Sequence, residues 1–445
     1  MKTFLRCGTG GLSFFGLAVV LTAGPWQSLF NGRDLTGWRV VNGTAPYAVA
    51  DGAIVGTTVR GTPNSFLAAD REFGDFIFEC EVRHEGGPAN SGIQIRSLVR
   101  PDYREGRLHG YQVELDPSAR AWTGGIYDEA RRGWLYPPSL NPRALTAYEP
   151  GRWNHVRVEA IGPVIRTWIN GIPVAHLIDD VTPAGLLALQ VHSVDNKPGQ
   201  EGRRILWRNL RIQTTDLVPS PPDGIFIRNT GVNTVSPEEQ ARGWRLLWDG
   251  RTARGWRGAD GRPFPAAGWS LADGVLTVLG RDGGDIVTEE EFSAFELQLE
   301  FQLTEGANSG IKYFVSGRLG LEYQLLDDER HPDATKGAAG NRTLASLYDL
   351  IPREPLPEGT GIEPKIGEWQ HARLVVRPDG SVEHWLNGVN VVSYRRGSPL
   401  FQALVARSKF AENPGFGLAA RGPILLQDHQ SVVRFRSIKI RPLTE

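Results

Sequence analysis

The sequence predicts an all-β protein that consists of two tandem jelly-roll β-sandwiches joined by a linker rich in Pro, Ser and Thr. Three observations support this fold class. The chain has 445 residues, which is more than one hydrophobic core usually serves. Short segments of alternating apolar and polar residues recur along it, and one ordered set of motifs occurs twice.

An internal repeat sets the domain organisation. LFNGRDLTGWR at 29–39 returns as LWDGRTARGWR at 247–257, and NSGI at 90–93 also returns 218 residues later. GRWNHVRV, INGIPV and WRNLRI are answered in the same order by GEWQHARL, LNGVNV and FRSIKI. This order predicts one duplicated domain, with copies over 24–216 and 241–445 and a linker over 217–240.

Each copy is predicted to contain many short antiparallel strands. DFIFECEVRHE, SGIQIRS, YQVELD and GLLALQVHS alternate in polarity and are bounded by turn-forming residues. The Asn-Gly pairs of INGI and LNGV are the strongest short signal for a β-hairpin. Many short strands with one side facing a core predict a jelly-roll sandwich.

The composition argues against several classes of partner and stabiliser. The formal net charge is -1, and no long run of like charge is present, so we expect no nucleic-acid partner. Lys is rare, with seven among the 49 basic residues, so each one can be considered individually. Cys80 would be the one cysteine of a mature chain, which excludes a disulfide framework and leaves stability to core burial.

The first 23 residues are predicted to be a secretory signal peptide. Lys2 and Arg6 precede an apolar run from Leu12 to Ala23, which is the order found in such peptides. A membrane anchor is the weaker interpretation, because the run is shorter than the roughly 20 residues that a span needs. We expect cleavage after Ala23, a periplasmic or secreted protein, and no transmembrane span in the mature chain.

Polar residues at every second position predict a candidate site in the first copy. Such residues share one face of a strand, and neighbouring strands would gather a carboxylate, an imidazole, a guanidinium and several amides on one surface. The alternative is that any half-solvated sheet turns polar residues outward. Strand by strand, the residues are Gln112, Glu114 and Asp116; Gln190 and His192; and Gln94 and Arg96.

The second copy carries an altered version of this face. Its acid and amide have exchanged places along one strand, and Asp327 lies one residue beyond the register of Asp116, which indicates a β-bulge. Either the two copies use different catalytic arrangements, or one is a binding or structural copy. The aligned pairs are Gln112 and Glu322, Glu114 and Gln324, Gln94 and Lys312, Arg96 and Phe314, and His192 and His429.

Over 27–213 and 244–443 the chain resembles the 3-keto-disaccharide hydrolase domain, a family long catalogued as a domain of unknown function. The resemblance lies in LFNG-x-x-L-x-GW, NSG, a polar strand led by Gly, an Asn-Gly hairpin and a closing LQ-x-H segment. The second copy is similar to the common form through GLEYQLLDDERHPDA, LASLYDLIP, VEHWLNG, SKF and ILLQDH, whereas the first resembles a variant. The resemblance implies a concanavalin A-like, laminin-G-like jelly roll that cleaves 3-keto-glucosides at the glycosidic bond.

Several residues outside the paired strands have more than one interpretation. Tyr127 and Tyr348 recur at matching places, and either stack on a sugar ring or complete the core. Lys409 in SKF is favoured as a substrate contact. Core packing is expected for the four tryptophans that mark strand starts, Trp38, Trp153, Trp256 and Trp369.

An acidic loop in the second copy is a candidate site for a divalent cation, which carboxylate and imidazole ligands would hold. A solvated acidic loop is the alternative. The cofactor is otherwise left open. The loop residues are Asp327, Asp328, His331 and Asp333.

The implied chemistry sets three roles. A ketone at C3 acidifies the proton at C2, so a base can remove it and the substituent at C1 can leave, with water added later for net hydrolysis. A base, a stabiliser of the enolate oxygen and an acid are then needed. The candidate catalytic residues are Glu322, Gln324, His429, Lys312 and Asp327 in the second copy and Glu114, Asp116, His192 and Arg96 in the first.

A carbohydrate is the expected partner, and the second copy is the favoured site of catalysis. A lectin-like carbohydrate-binding protein is the alternative function, since the fold alone does not separate the two. The candidate substrate-binding residues are Asn308, Gln427, Tyr348 and Lys409 in the second copy and Asn90, Gln94, Gln112, Tyr127 and Gln190 in the first.

Overall fold

The computed structural model describes residues 24–444 except 196, 282, 318 and 414, so the predicted signal peptide lies outside the described residues. Within this part of the chain, no helix combines the length and the apolar character needed to cross a membrane.

The first copy folds into two packed sheets that are antiparallel except where β16 pairs with β13. The larger has the strand order β16-β13-β12-β11-β6-β15-β4-β3, with β1 paired to β15, and the smaller has the order β10-β9-β8-β7-β14-β5-β2. The strands are β1 (Gln27–Ser28), β2 (Trp38–Asn42), β3 (Tyr47–Ala50), β4 (Ala53–Thr57), β5 (Ser65–Phe73), β6 (Phe76–Glu85), β7 (Ser91–Leu98), β8 (His109–Leu115), β9 (Ile126–Glu129), β10 (Gly133–Tyr136), β11 (Asn154–Ile161), β12 (Val164–Ile169), β13 (Ile172–Ile178), β14 (Gly185–Val191), β15 (Arg204–Gln213) and β16 (Arg228–Asn229).

The second copy repeats this sandwich. One sheet has the order β19-β20-β29-β22-β25-β26-β27, with β17 paired to β29, and the other has the order β18-β21-β28-β23-β24. The strands are β17 (Arg245–Leu246), β18 (Trp256–Gly258), β19 (Trp269–Ala272), β20 (Val275–Leu279), β21 (Ile286–Phe292), β22 (Phe295–Leu303), β23 (Asn308–Ser316), β24 (Leu319–Leu326), β25 (Gln370–Val376), β26 (Ser381–Leu386), β27 (Val389–Arg395), β28 (Gly422–Leu426) and β29 (Val432–Pro442).

Helical structure is short. Two α-helices, α1 (Pro237–Ala241) and α2 (Pro399–Val405), are present in the described residues, each with Pro in its first turn after a Ser that caps it. Single 3-10 turns lie at Arg104–Gly106, Pro138–Leu140, Pro142–Thr146 and Pro332–Thr335. The prediction of an all-β duplication is confirmed.

The hairpins predicted from Asn-Gly are present in both copies. Asn170 and Gly171 join β12 to β13 with φ values of 50° and 78°, and Asn387 and Gly388 join β26 to β27 with 49° and 86°. Positive φ at both central residues is what a tight hairpin turn requires, and Asn-Gly adopts it at little cost.

A β-bulge interrupts the same strand in each copy. The register of β7 on β8 shifts between Ile95 and Leu98, and Arg96 has a φ of 47°. The register of β23 on β24 shifts between Tyr313 and Ser316, and Phe314 has a φ of 51°. An extra residue in a strand breaks the alternation of side chains, so these two residues leave the face that sequence spacing assigns them.

The tryptophan prediction is right for two of the four residues. Trp38 and Trp256 are buried, and their indole N–H groups donate to backbone oxygens of the preceding motif. Trp153 and Trp369 are only half-buried, and guanidinium groups cover them: Arg208 lies 4.0 Å from the centre of the first ring and Arg436 lies 4.1 Å from the second. Arginine-rich outer faces therefore shield these two rings.

The segment that connects the copies is packed against the first copy. Arg166 donates from its guanidinium to the backbone oxygens of Ser220 and Pro221, both at 2.7 Å, and pairs with Asp223. Strand β16 then adds to the edge strand β13 in parallel. The linker thus extends the first sheet.

The two copies also contact each other directly. Trp122 of the first copy is buried in the hydrophobic cluster of the second. It meets Trp134 edge to face at a centroid distance of 4.7 Å, and the indole of Trp134 donates to the backbone oxygen of Thr360 at 3.0 Å. The two sandwiches therefore share part of their core.

Candidate functional site

The site in the second copy is built on adjacent strands of the five-stranded sheet. Lys312 on β23 and Glu322 on β24 are directly opposed, and their Nζ and Oε2 atoms are 3.8 Å apart. Both side chains are mostly buried, with 13% and 8% of the side-chain surface exposed. The pairing of β23 with β24 therefore brings a cation and a carboxylate together.

Gly310 makes room for this carboxylate. A Cβ atom at Gly310 would lie 2.2 Å from Oε1 of Glu322, so any other residue there would force the Glu322 side chain to move. Gly92, the equivalent of Gly310 in NSGI, stands in the same relation to Gln112, where the contact would be 2.4 Å. The Gly of the repeated turn motif is thus needed for the side chain on the neighbouring strand.

Burial raises the pKa of Glu322, and the charges of Lys312 and Lys409 act in the opposite direction. A carboxylate whose ionised form is disfavoured by burial is a better proton acceptor than an ordinary surface carboxylate. The pair therefore has the chemistry of a base with a cation beside it.

Amide groups extend the site along β24 and β28. Gln324 donates to Oδ1 of Asn308 at 3.5 Å, and its Oε1 is buried without a hydrogen-bond partner among the described residues. The Oε1 atom of Gln427 is also buried without a hydrogen-bond partner among these residues. Buried acceptors without partners are costly, so these two oxygens are suited to accept from hydroxyl groups of a bound ligand.

A second group of side chains forms the rim. The ring of Tyr348 lies 4.1 Å below Nζ of Lys409, and its hydroxyl donates to Oδ2 of Asp333 at 2.7 Å. Asp349 accepts from the backbone N–H of Lys409, which fixes the SKF segment here. The loss of water around Lys409 lowers the pKa of its ammonium group.

His429 lies at the exposed rim, with its ring centre 6.4 Å from that of His331. Burial and nearby positive charge lower the pKa of His331, although the carboxylates of Asp333 and Asp327 oppose this shift. Two imidazoles therefore lie next to each other at the rim.

Sequence reasoning missed Asp285. Its Oδ1 accepts from the backbone N–H of Asp428 at 2.9 Å. Burial raises the pKa of its carboxyl group, and the charge of Lys312 counteracts this. Asp285 directly precedes Ile286, which pairs with Leu426, so it shares the face of Gln427. Alignment of the strands, rather than of the motifs, would have found it.

The structure separates the four residues proposed to hold a cation. Asp327 accepts from backbone N–H groups of its own turn, Asp328 accepts from the N–H of Leu344 at 2.7 Å, and Asp333 binds Tyr348. No group of three or more potential ligands lies close together in the described ranges. The residues do not fit a metal centre.

Asp327 is likewise corrected as a catalytic candidate. Burial disfavours its charge, but the N–H donors of Gly306, Glu329 and Arg330 outweigh burial and lower its pKa. The carboxylate is committed to closing the turn after β24. Asp116 does the same after β8, where it accepts from the N–H of Ser118 at 3.0 Å.

In the first copy the predicted polar face is present, and its side chains hydrogen-bond to one another. Glu114 accepts from Asn90 at 2.5 Å and from Gln112 at 2.7 Å, and Gln94 donates to Gln112 at 2.5 Å. Burial raises the pKa of Glu114 to about 7, against the lowering effect of Asn90 and Arg120. The chain of amides thus ends on a carboxyl group.

Apolar side chains cover the neighbouring part of this face. Phe66, 1% exposed, pairs with Gln190 across β5 and β14, and neither polar atom of the Gln190 side chain has a described partner. His192 directs Nδ1 at the backbone oxygen of Ser193 at 2.7 Å, and burial lowers its pKa. Tyr127 packs edge to face on Trp134 at 5.3 Å, inside the aromatic contact between the copies.

Arg96 is not part of this face. Because of the bulge, its guanidinium donates to the backbone oxygens of Gly74 and Gly162 and pairs with Asp75 at 2.8 Å. The expectation that Arg96 acts beside Glu114 is therefore corrected: it ties two loops together. Arg120, which donates to Asp116 and reaches Glu114 at 3.4 Å, is the guanidinium that lies at the site.

Comparisons with known proteins agree with the repeat. Residues 25–213 and 243–441 match the family model of the 3-keto-alpha-glucoside-1,2-lyase-like domain. The 3-keto-disaccharide hydrolase of Bacteroides thetaiotaomicron is 34% identical over 237 residues, with 46% of this chain and 79% of that protein covered. A solved structure from Parabacteroides distasonis ATCC 8503 is 29% identical, covers 48% of this chain and all of its own, and has a TM-score of 0.44.

Proposed function

Because the chain belongs in both of its halves to the 3-keto-alpha-glucoside-1,2-lyase-like domain family, we propose that it is an enzyme that cleaves the glycosidic bond of 3-keto-glucosides, including 3-keto-disaccharides. The Bacteroides thetaiotaomicron relative, a 3-keto-disaccharide hydrolase, supports the substrate class. Catalysis takes place in the second copy.

The buried pair of Lys312 and Glu322 carries this proposal. A lectin-like module binds sugars with amides and exposed aromatic rings, and has no need of a buried carboxylate with an ammonium group opposite it. Glu322 lies 3.8 Å from an ammonium group and beside the amide of Gln324. These are the groups that proton abstraction next to a ketone requires.

Each residue then has a role in the elimination. Glu322 takes the proton from C2, and the electron pair of that C–H bond is delocalised onto the C3 oxygen as an enolate. Collapse of the enolate forms the C1–C2 double bond, and the C1–O bond breaks with its electron pair leaving on the departing oxygen. Lys312 and Gln324 stabilise the negative charge that develops on the C3 oxygen. His429 gives a proton to the departing oxygen. Addition of water across the double bond, with its hydroxyl at C1, completes a net hydrolysis, whereas its omission makes the reaction a lyase reaction.

The test is incubation of the purified full-length protein with 3-keto-trehalose, with products identified by mass spectrometry. Release of glucose together with 3-keto-glucose indicates hydrolysis, and glucose with the unsaturated ketone indicates a lyase. The Glu322→Ala, His429→Ala double variant is expected to lose release, and undiminished turnover by it overturns the assignment. Glycan binding without release by the wild type supports the lectin-like alternative instead.

Export is part of the proposed function, and it rests on the sequence of residues 1–23. A mature protein recovered from the periplasm or medium should begin at Gly24. N-terminal sequencing of that protein is the measurement, and an intact Met1 on the exported protein contradicts it.

A further inference from the structure

A cavity of about 710 Å³ opens beside the charged centre of the second copy. One wall is the segment 259–267 between β18 and β19, and the floor is formed by Gly283, Gly284, Asp285 and Leu425. This volume lies within the range of small-molecule sites.

The wall is an addition that the first copy lacks. Residues 43–46 connect β2 to β3 in the first copy, whereas residues 259–268 connect β18 to β19 in the second. The longer connection carries Asp260, Arg262, Pro263, Phe264 and Pro265 along the cavity. The first copy has no counterpart of these side chains.

The floor joins the cavity to the residues proposed to do chemistry. Leu425 pairs with Lys312 across β28 and β23. Asp285 accepts from the N–H of Asp428, and the carboxylate of Asp428 accepts from Gly283 and Gly284 at 3.1 Å and 2.9 Å. The floor is thus held by hydrogen bonds at the edge of the Lys312 position.

The lining has the character of a sugar subsite. Phe264 is half-buried and meets Trp269 edge to face at 6.3 Å, so its ring is supported from one side. Arg262 donates to Asp260 at 2.6 Å, so an exposed guanidinium and a carboxylate lie at the wall. An aromatic face beside several fixed polar groups suits a sugar ring, which has apolar C–H faces and hydroxyl edges.

We propose that this cavity binds the leaving sugar of a 3-keto-disaccharide, with Phe264 as a specificity-determining contact. The inference rests on the proposed function, because the leaving group is defined by the bond that is broken. The 3-keto ring occupies the face of Lys312, Glu322 and Gln324, and the departing hexose extends over Asp285 into the cavity. The segment 259–268 therefore selects for a sugar over a small aglycone.

The experiment compares two substrates in the full-length protein, 3-keto-trehalose and methyl 3-keto-α-glucoside. Phe264→Ala is expected to raise KM for 3-keto-trehalose about 10-fold, in line with loss of a well-placed aromatic contact. For the methyl glucoside, kcat/KM should change less than about 2-fold. Tyr103→Ala, which removes another half-buried ring, is the control and should leave both substrates unaffected. Equal effects of Phe264→Ala on both substrates, or none on either, overturn the proposal.

Binding of glucose provides a readout that does not depend on turnover. Saturation-transfer NMR with glucose should show contact with the wild type and a several-fold weaker signal with Phe264→Ala. If glucose contacts a protein that cleaves neither substrate, the sugar subsite is supported and the proposed function is rejected. Glucose contact that is unchanged in Phe264→Ala would reject the subsite, whatever the activity.

Discussion

Four equivalent positions on one sheet face carry different side chains in the two copies. In the first copy they are Phe66, Gln94, Gln112 and Glu114, and in the second they are Asp285, Lys312, Glu322 and Gln324. The first face is filled by its own side chains, with Gln94 and Gln112 at 0% and 2% exposure. The second has a charged pair and an adjoining cavity.

The backbone of this fold and the chemistry of its side chains are therefore separable. Both copies retain the Gly of NSGI, the Asn-Gly hairpin and the bulge at the same strand. What changes is the side chain at a few positions and the length of one connection. In the first copy Gln94, Gln112 and Glu114 hydrogen-bond to one another, which suits packing. In the second copy the buried Oε1 atoms of Gln324 and Gln427 have no partner among the described residues, which suits a ligand.

The largest effect is expected for Glu322→Gln. Loss of the base should lower kcat for a 3-keto-glucoside by about 1,000-fold, within the range for removal of a general base. Steady-state kinetics measures it, with Glu329→Gln as the control because the side chain of Glu329 is 83% exposed. A loss below about 10-fold would assign the proton transfer to another group.

Phe66→Ala addresses the closed face of the first copy. Removing a buried Phe should lower the free energy of unfolding by about 3 kcal/mol, because the cavity left behind is lined by apolar groups. Urea unfolding measures this change, and turnover under native conditions should be unchanged. Val40→Ala, at a side chain that is 45% exposed, should cost far less. Loss of turnover in the folded Phe66→Ala protein would mean that the first copy takes part in catalysis.

Lys312→Met tests the coupling in the charged pair. The base must be ionised, so activity falls as the pH drops through the pKa of Glu322, which burial raises and Lys312 lowers. Removing the ammonium group should move this acid limb to higher pH by about 1 unit. The pH profile of kcat is the measurement, with Lys365→Met as a surface control. If the acid limb of the profile stays at the same pH, a group other than Glu322 determines its position.

The smallest effect is expected for Glu114→Gln, the matching change in the first copy. Its carboxyl group is enclosed by Asn90 and Gln112, so turnover should change less than about 3-fold if the second copy alone is catalytic. The same kinetic assay measures it. A loss of turnover comparable to that of Glu322→Gln would show that the faces of the two copies are equivalent in catalysis.

The fold was predictable because it depends on local signals that occur twice. Asn-Gly turns, alternating strands and the offset of 218 residues are all visible without coordinates. The same alignment placed Lys312 and Glu322 among the candidate site residues, and the structure shows that the two side chains are in contact.

The predictions that failed depended on side-chain geometry that the amino-acid sequence does not show. The β-bulge moves Arg96 off the face that carries Gln94. The carboxylate of Asp327 accepts hydrogen bonds from backbone N–H groups, so it is not available to bind a metal ion. Asp285 was missed because its counterpart is the apolar Phe66, so no polar pattern repeats there. Side chains in turns and at bulges are set by hydrogen bonds to the backbone, which spacing alone does not reveal.

The contact of Trp122 and Trp134 with the second copy has a consequence for synthesis. The ribosome delivers residues 24–216 before the second copy, so at that stage Trp122 lacks the hydrophobic cluster of the second sandwich and Trp134 lacks the backbone oxygen of Thr360. The first half therefore emerges with an apolar patch that only its own duplicate covers. A nascent chain paused between the copies is the species in which we expect aggregation or chaperone capture.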